Sequence, residues 1–135
     1  MSFSLQVTTP EEIAVTARAA LVTDLANIRW KHEVGGLTLP DGAIVRTDRE
    51  TRAALTEAVN SLSNGLMQAP IAWKMAAGWT DLSQQDLEAI TAAVSAHVQA
   101  SFAAERTVQE QIEAQDDLTG FDLQTAFTAA LNASQ

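Results

Sequence analysis

Cysteine is absent from this chain of 135 residues, so no disulfide framework, thiolate nucleophile or cysteine metal site is available, and stability has to come from packing. Basic side chains are scarce: 8 Lys and Arg stand against 17 Asp and Glu, for a net charge of −9, and the cations form no run. Such a chain offers no electrostatic footprint to a phosphate backbone or an anionic lipid, which makes nucleic acid and membrane surfaces poor partners. No stretch approaches the ~20 apolar residues of a membrane span. The opening Met1-Ser2-Phe3-Ser4-Leu5-Gln6 lacks the positive start of a signal peptide. These absences predict a soluble protein made in the cytosol. With 47% apolar residues, the length suits one core and leaves no room for two domains.

Marks of chemistry are few as well. Only two histidines occur, His32 on an apolar helical stripe and His97 beside Val94 and Val98, places that suit core or boundary residues better than ligands. There is no Gly-rich phosphate loop, nucleophile elbow or paired-ligand spacing. The carboxylate pairs Glu11-Glu12 and Asp116-Asp117 are explained by a helix dipole and by solvated charge. No catalytic residue, metal site or cofactor is therefore expected, and the chain reads as a non-enzyme.

What is present is a unit that occurs twice: strand residues, a Gly-centred turn, then Thr-Asp ahead of an amphipathic helix. The first copy runs from Gly36 through Pro40-Asp41-Gly42 to Thr47-Asp48; the second passes through Trp73, Gly78 and Thr80-Asp81. Thr9-Pro10-Glu11-Glu12 and Thr47-Asp48-Arg49-Glu50 have the form of capping boxes, with Thr as the cap, and Ser83-Gln84-Gln85-Asp86 is a weaker version. Helices are predicted over about 10–34, 48–62, 83–115 and 122–132.

The first helix carries an apolar stripe at Ile13, Ala17, Leu21, Leu25, Ile28 and His32, flanked by Val15, Ala19, Val22, Ala26 and Trp30. Trp30 is expected to seat that helix on a sheet. The second buries Leu55, Val59 and Leu62. The third has Leu87, Ile90, Val94, Val98, Phe102, Val108 and Ile112, and at roughly 50 Å it outruns a domain of about 30 Å, so its second half is expected to project or bend back.

Two hairpins, around Pro40-Asp41-Gly42 and Ala76-Ala77-Gly78, are expected to pair into one small antiparallel sheet. Trp73 and Trp79 fall on facing arms of the second, which suggests cross-strand packing; exposed rings would instead mark a binding surface. Phe3, Leu5 and Val7 alternate with polar residues as in a strand, to be added to the domain's own sheet edge or to a neighbour's. After Glu105 the chain turns acidic. Its last helix offers Leu123, Phe127, Ala130 and Leu131, with Phe121 before it, either to its own domain or to another subunit. On the second alternative, Phe127→Asp or Leu131→Asp weakens assembly and spares the fold. Candidate partner contacts are thus Phe3, Leu5, Val7, Phe121, Leu123, Phe127 and Leu131.

The fold class is α+β, mainly helical, ordered helix, hairpin, helix, hairpin, long helix, short helix. Residues 1–8 are the arm, 9–115 one domain, and 116–135 an acidic linker and amphipathic helix.

Arg29-Trp30-Lys31-His32-Glu33-Val34-Gly35-Gly36, then Thr47-Asp48-Arg49-Glu50, Trp73-Lys74 with Gly78 and Leu82, and His97-Val98-Gln99-Ala100 with Phe102 and Glu105 resemble a small family of unknown function found in tailed-bacteriophage tail and tail-fibre-associated proteins. The resemblance covers about residues 21–112. It implies a virion structural protein of the tail, baseplate or fibre region, made in the host cytoplasm, contacting other tail proteins in symmetric copies. A tail-fibre assembly chaperone absent from the mature particle is the alternative; a cell-wall or polysaccharide hydrolase is a third class, which clustered carboxylates in a cleft would favour. The family brings no catalytic residues.

Overall fold

Local chemistry starts the helices. Thr9 accepts a hydrogen bond from the Glu12 amide and Pro10 opens α1 (Pro10–Glu33). Ser83 and Asp86 satisfy each other's backbone amides at the head of α3 (Gln84–Ala114). In α2 (Arg49–Ser63) the cap is Asp48 and not Thr47: its carboxylate accepts from the Thr51 amide. Thr47 is fully buried and engaged elsewhere, donating to the Glu33 carbonyl at 2.6 Å and accepting from the Gly36 amide at 3.0 Å. A buried carbonyl and amide at the end of α1 need that hydroxyl more than a half-exposed helix start does. Gly36 leaves α1 at a φ of +95°, and a Cβ on Gly35 would sit 2.7 Å from the Lys31 carbonyl oxygen, so both glycines are structural requirements.

The computed structural model describes residues 9–134, and Phe3, Leu5 and Val7 lie outside them. The remaining elements are β1 (Leu37–Thr38), β2 (Ile44–Val45), β3 (Ile71–Met75), β4 (Gly78–Leu82) and α4 (Leu123–Ala133), an α+β fold in the expected order. Both hairpins form and are antiparallel, but they make two separate two-stranded sheets and do not join into one. Strands of two residues provide too few ladder positions to hold a second pairing. A cleft of 370 Å³ lined by Ile44, Arg46, Trp73 and Lys74 separates β2 from β3.

Two cores share α3. The first gathers Val45, Leu55, Leu62, Ile71 and Leu82 around Leu87, Ile90 and Val94; the second gathers Leu25, Leu123, Phe127 and Ala130 around Ala104, Val108 and Ile112. The second half of α3 neither projects nor bends back: the helix is continuous, and α1 and α4 cover it. Within its buried set, Leu87, Val94, Ser101 and Val108 recur every seven residues, the spacing of helices packed side by side. That spacing takes in Ser101, whose hydroxyl donates to the His97 carbonyl, and leaves Phe102 41% exposed although it was expected in the stripe.

The ends of α1 correct two further expectations. Ile13 and Val15 are exposed, and Trp30 is 51% exposed, because α1 packs on α3 and α4 and does not seat on a sheet. Of the candidate partner contacts, Leu123 and Phe127 are buried, with Phe121 and Leu131 packed against them, so the C-terminal helix closes its own domain.

Candidate functional site

Two places combine polar groups from several elements. The first is a buried joint between the cores. Glu33, fully buried one residue before the α1 cap, receives hydrogen bonds from Arg29 on its own helix and from Arg52 on α2 at 2.8 Å; Arg29 also donates to Glu105 of α3 at 2.8 Å and lies 4.5 Å over the Phe102 ring. Burial pushes the Glu33 carboxyl up, and the hydrogen bonds from Arg52 and Arg29 more than reverse this, so it is held below its ordinary value.

Beside this network, His97 Nε2 donates to the His32 carbonyl at 2.8 Å, and the two rings stack with centroids 4.6 Å apart. The carbonyl can only accept, so Nε2 carries the proton and that nitrogen is occupied. Among the described residues, no group of three His, Cys, Asp or Glu converges as a metal would need. The joint thus uses many of the residues that carry the family resemblance to bind elements to one another.

Burial and then the neighbouring His97 hold the His32 ring below its ordinary pKa of 6.5. The folded state therefore favours neutral His32, while the unfolded chain takes up a proton from about pH 6.5 downward. The stabilisation is complete above that value and is lost as pH falls through the folded pKa. The urea midpoint is expected to drop between about pH 7 and about pH 5, and to drop less in His32→Gln. An identical profile in both proteins would contradict this.

The second place is an open groove of 720 Å³ between the first hairpin, β4 and the start of α3. Its apolar lining includes Leu39, Ile44, Trp79, Leu82, Ile90 and Ala93. Asp41, Asp81 and Asp86 also line it, and no Lys or Arg does. Asp41 accepts from the Ala43 amide within its turn, and Asp86 belongs to the α3 cap. Trp79 is 73% exposed and Ile44 53%, an apolar surface with no cover among the described residues. The Lys74 ammonium lies 5.9 Å from the Trp79 ring.

Register decides where the tryptophans point. Trp73 pairs with Thr80 and Trp79 with Lys74, so the two rings lie on opposite faces of the hairpin and make no cross-strand pair. Trp73 packs against the first core; Trp79 faces out. Every residue of β4 borders the groove, and among the described residues no strand lies beside its outer edge. The site therefore offers apolar surface together with a row of backbone hydrogen-bonding groups.

Residues 16–131 match the family described as Domain of unknown function (DUF4376). The chain belongs to this family. The matched span holds the joint, the groove and nearly all of α4, so the C-terminal helix is part of the family's unit as well as of its core. No curated protein and no solved structure matches the chain.

Arg52 was not singled out from sequence; Glu33 stood only within the run that carries the resemblance, and Thr47 was read as a helix cap. Arg29 and Glu33 do stand at i,i+4, a spacing that marks a helical ion pair and was the one available signal.

Proposed function

We propose that this protein is a non-enzymatic component of a bacteriophage particle, a tail, baseplate or tail-fibre adaptor that works through protein-protein contacts. The observation that carries this reading is the β4 groove, with its exposed Trp79 and Ile44 and its open strand edge. The resemblance of residues 21–112 to phage tail-associated proteins supplies the setting. The adaptor is made in the host cytoplasm and joins other tail or fibre proteins in the virion. The acidic balance, 17 carboxylates to 8 cations, favours one other reading, a soluble fibre-assembly chaperone that leaves before maturation.

Mass spectrometry of purified particles of the source phage or induced prophage tests both readings. The expected result is detection at a fixed ratio to the major tail protein. Abundance in the lysate with absence from particles would replace the adaptor by the chaperone, and absence from both would overturn both.

A further inference from the structure

We propose that residues 3–7 of a second copy of this chain add as a third strand to the outer edge of β4. The inference rests on reading the groove as a protein-docking site, and it names the occupant. An extended segment laid there gains main-chain hydrogen bonds from β4 and sets alternate side chains on the α3 floor of Ala89, Ile90 and Ala93. Phe3, Leu5 and Val7 alternate in sequence with Ser4 and Gln6, the apolar-polar pattern that such an edge takes. Five residues match the five-residue edge Gly78–Leu82.

Charge fits too. The groove has three carboxylates and no cation in its lining, which repels an acidic segment of a chain of net charge −9. Residues 2–10 hold no charged side chain.

The strand has to come from another molecule. α1 and α3 run antiparallel: His32 meets His97 at one end, and Arg18 donates to the Ile112 and Gln115 carbonyls toward the other. The groove residues of α3 therefore lie past the C-terminal end of α1, whereas Thr9 lies at its start, about 36 Å away along the helix. Residues 3–7 extend at most about 20 Å from Thr9, too short to return. Donor and acceptor sites sit at opposite ends of the molecule, so two antiparallel copies can exchange arms in a closed dimer, and copies joined in line make a ring or a filament.

The absence of cysteine makes crosslinking clean. Full-length Gln6→Cys and Asp81→Cys proteins, mixed and treated with a bismaleimide, are expected to give a covalent dimer containing one of each, and Leu5→Asp in the donor chain is expected to cut its yield at least tenfold. Sedimentation of the unsubstituted protein should show mass rising with concentration, and Leu5→Asp should return it to monomer with an unchanged urea midpoint. Failure to form the mixed dimer, a yield indifferent to Leu5→Asp, or a monomer at every concentration would overturn the proposal. Incorporation of Trp79→Asp into particles separates the two levels. A lower ratio to the tail protein, with no crosslink, keeps the groove as a docking site and removes this occupant; an unchanged ratio removes the groove itself.

Discussion

Phe127→Ala is expected to lower stability by about 3–5 kcal/mol, the largest effect of any single truncation in this molecule. Phe127 is 1% exposed in the middle of the second core, among residues of α1, α3 and α4, with its ring T-shaped to that of His32 at a centroid distance of 5.8 Å. No neighbouring side chain is free to fill the space, because Leu25, Val108 and Ile112 are themselves fully buried. Against a total of about 5–15 kcal/mol for an ordinary domain, this leaves little. Phe127→Asp adds an unpaired buried carboxylate and is expected to release α4 outright. This reverses the expectation that a charge at that position would spare the fold. Urea unfolding followed by far-UV circular dichroism measures the change, and a loss below about 1 kcal/mol in the alanine variant would falsify this account of the second core.

Glu33→Ala is expected to cost about 3 kcal/mol. It leaves two arginines that had converged on one buried carboxylate. The cost falls at the lower end for such sites because Arg29 retains Glu105 and because the Arg29 and Arg52 side chains are 15% and 22% exposed. Removing the charge and one of its partners together, in Glu33→Leu with Arg52→Leu, is expected to cost less than Glu33→Ala alone, since less charge is stranded. Equal or greater loss in the double variant would mean that the network stabilises through packing and not through pairing. Glu33 contributes to acid sensitivity in a different range from His32. Its depressed pKa makes its stabilisation complete above its ordinary value of 4.5 and lost as pH falls through the folded value.

The elements that were legible from sequence are those whose causes lie within a few residues. Thr9-Pro10 and Ser83 with Asp86 identify helix starts because cap and amide are three residues apart. Thr47 looked like a cap by the same logic, but its partner is the Glu33 carbonyl, fourteen positions back, and a local pattern carries no trace of that demand. The heptad face of α3 was hidden for a similar reason: Val98 and Phe102 fit a 3.6-residue stripe, and only the neighbouring α1 selects Ser101 and Ala104 in place of Phe102. The placement of Trp79 was recoverable. A two-residue turn at Ala76-Ala77 pairs Met75 with Gly78, and counting back puts Trp73 and Trp79 on opposite faces.

The candidate sites divide in the same way. Arg29 and Glu33 share a helix, whereas Arg52 joins them from nineteen positions away, so the buried triad was not visible. The groove sets β4 and the start of α3, which follow each other in the chain, against the distant first hairpin, and no local pattern announces that approach. The apolar residues of the C-terminal helix were legible as a group but ambiguous in destination, and burial assigns Leu123 and Phe127 to the interior, with Phe121 and Leu131 partly buried against it.

Because α3 passes through both cores as one unbroken helix of 31 residues, the molecule also has a mechanical character. A load applied between the hairpin end and the α4 end is carried along a rod of about 46 Å. The antiparallel contact of α1 with α3 is then loaded in shear, so that links such as those of Arg18 at one end and His97 at the other share the force and fail together instead of peeling in turn. Resistance to such a pull is set by the unfolding rate under tension and not by the equilibrium stability. Pulled along that axis, the domain is expected to extend little before it unfolds, because the load runs along hydrogen-bonded helix and packed core together.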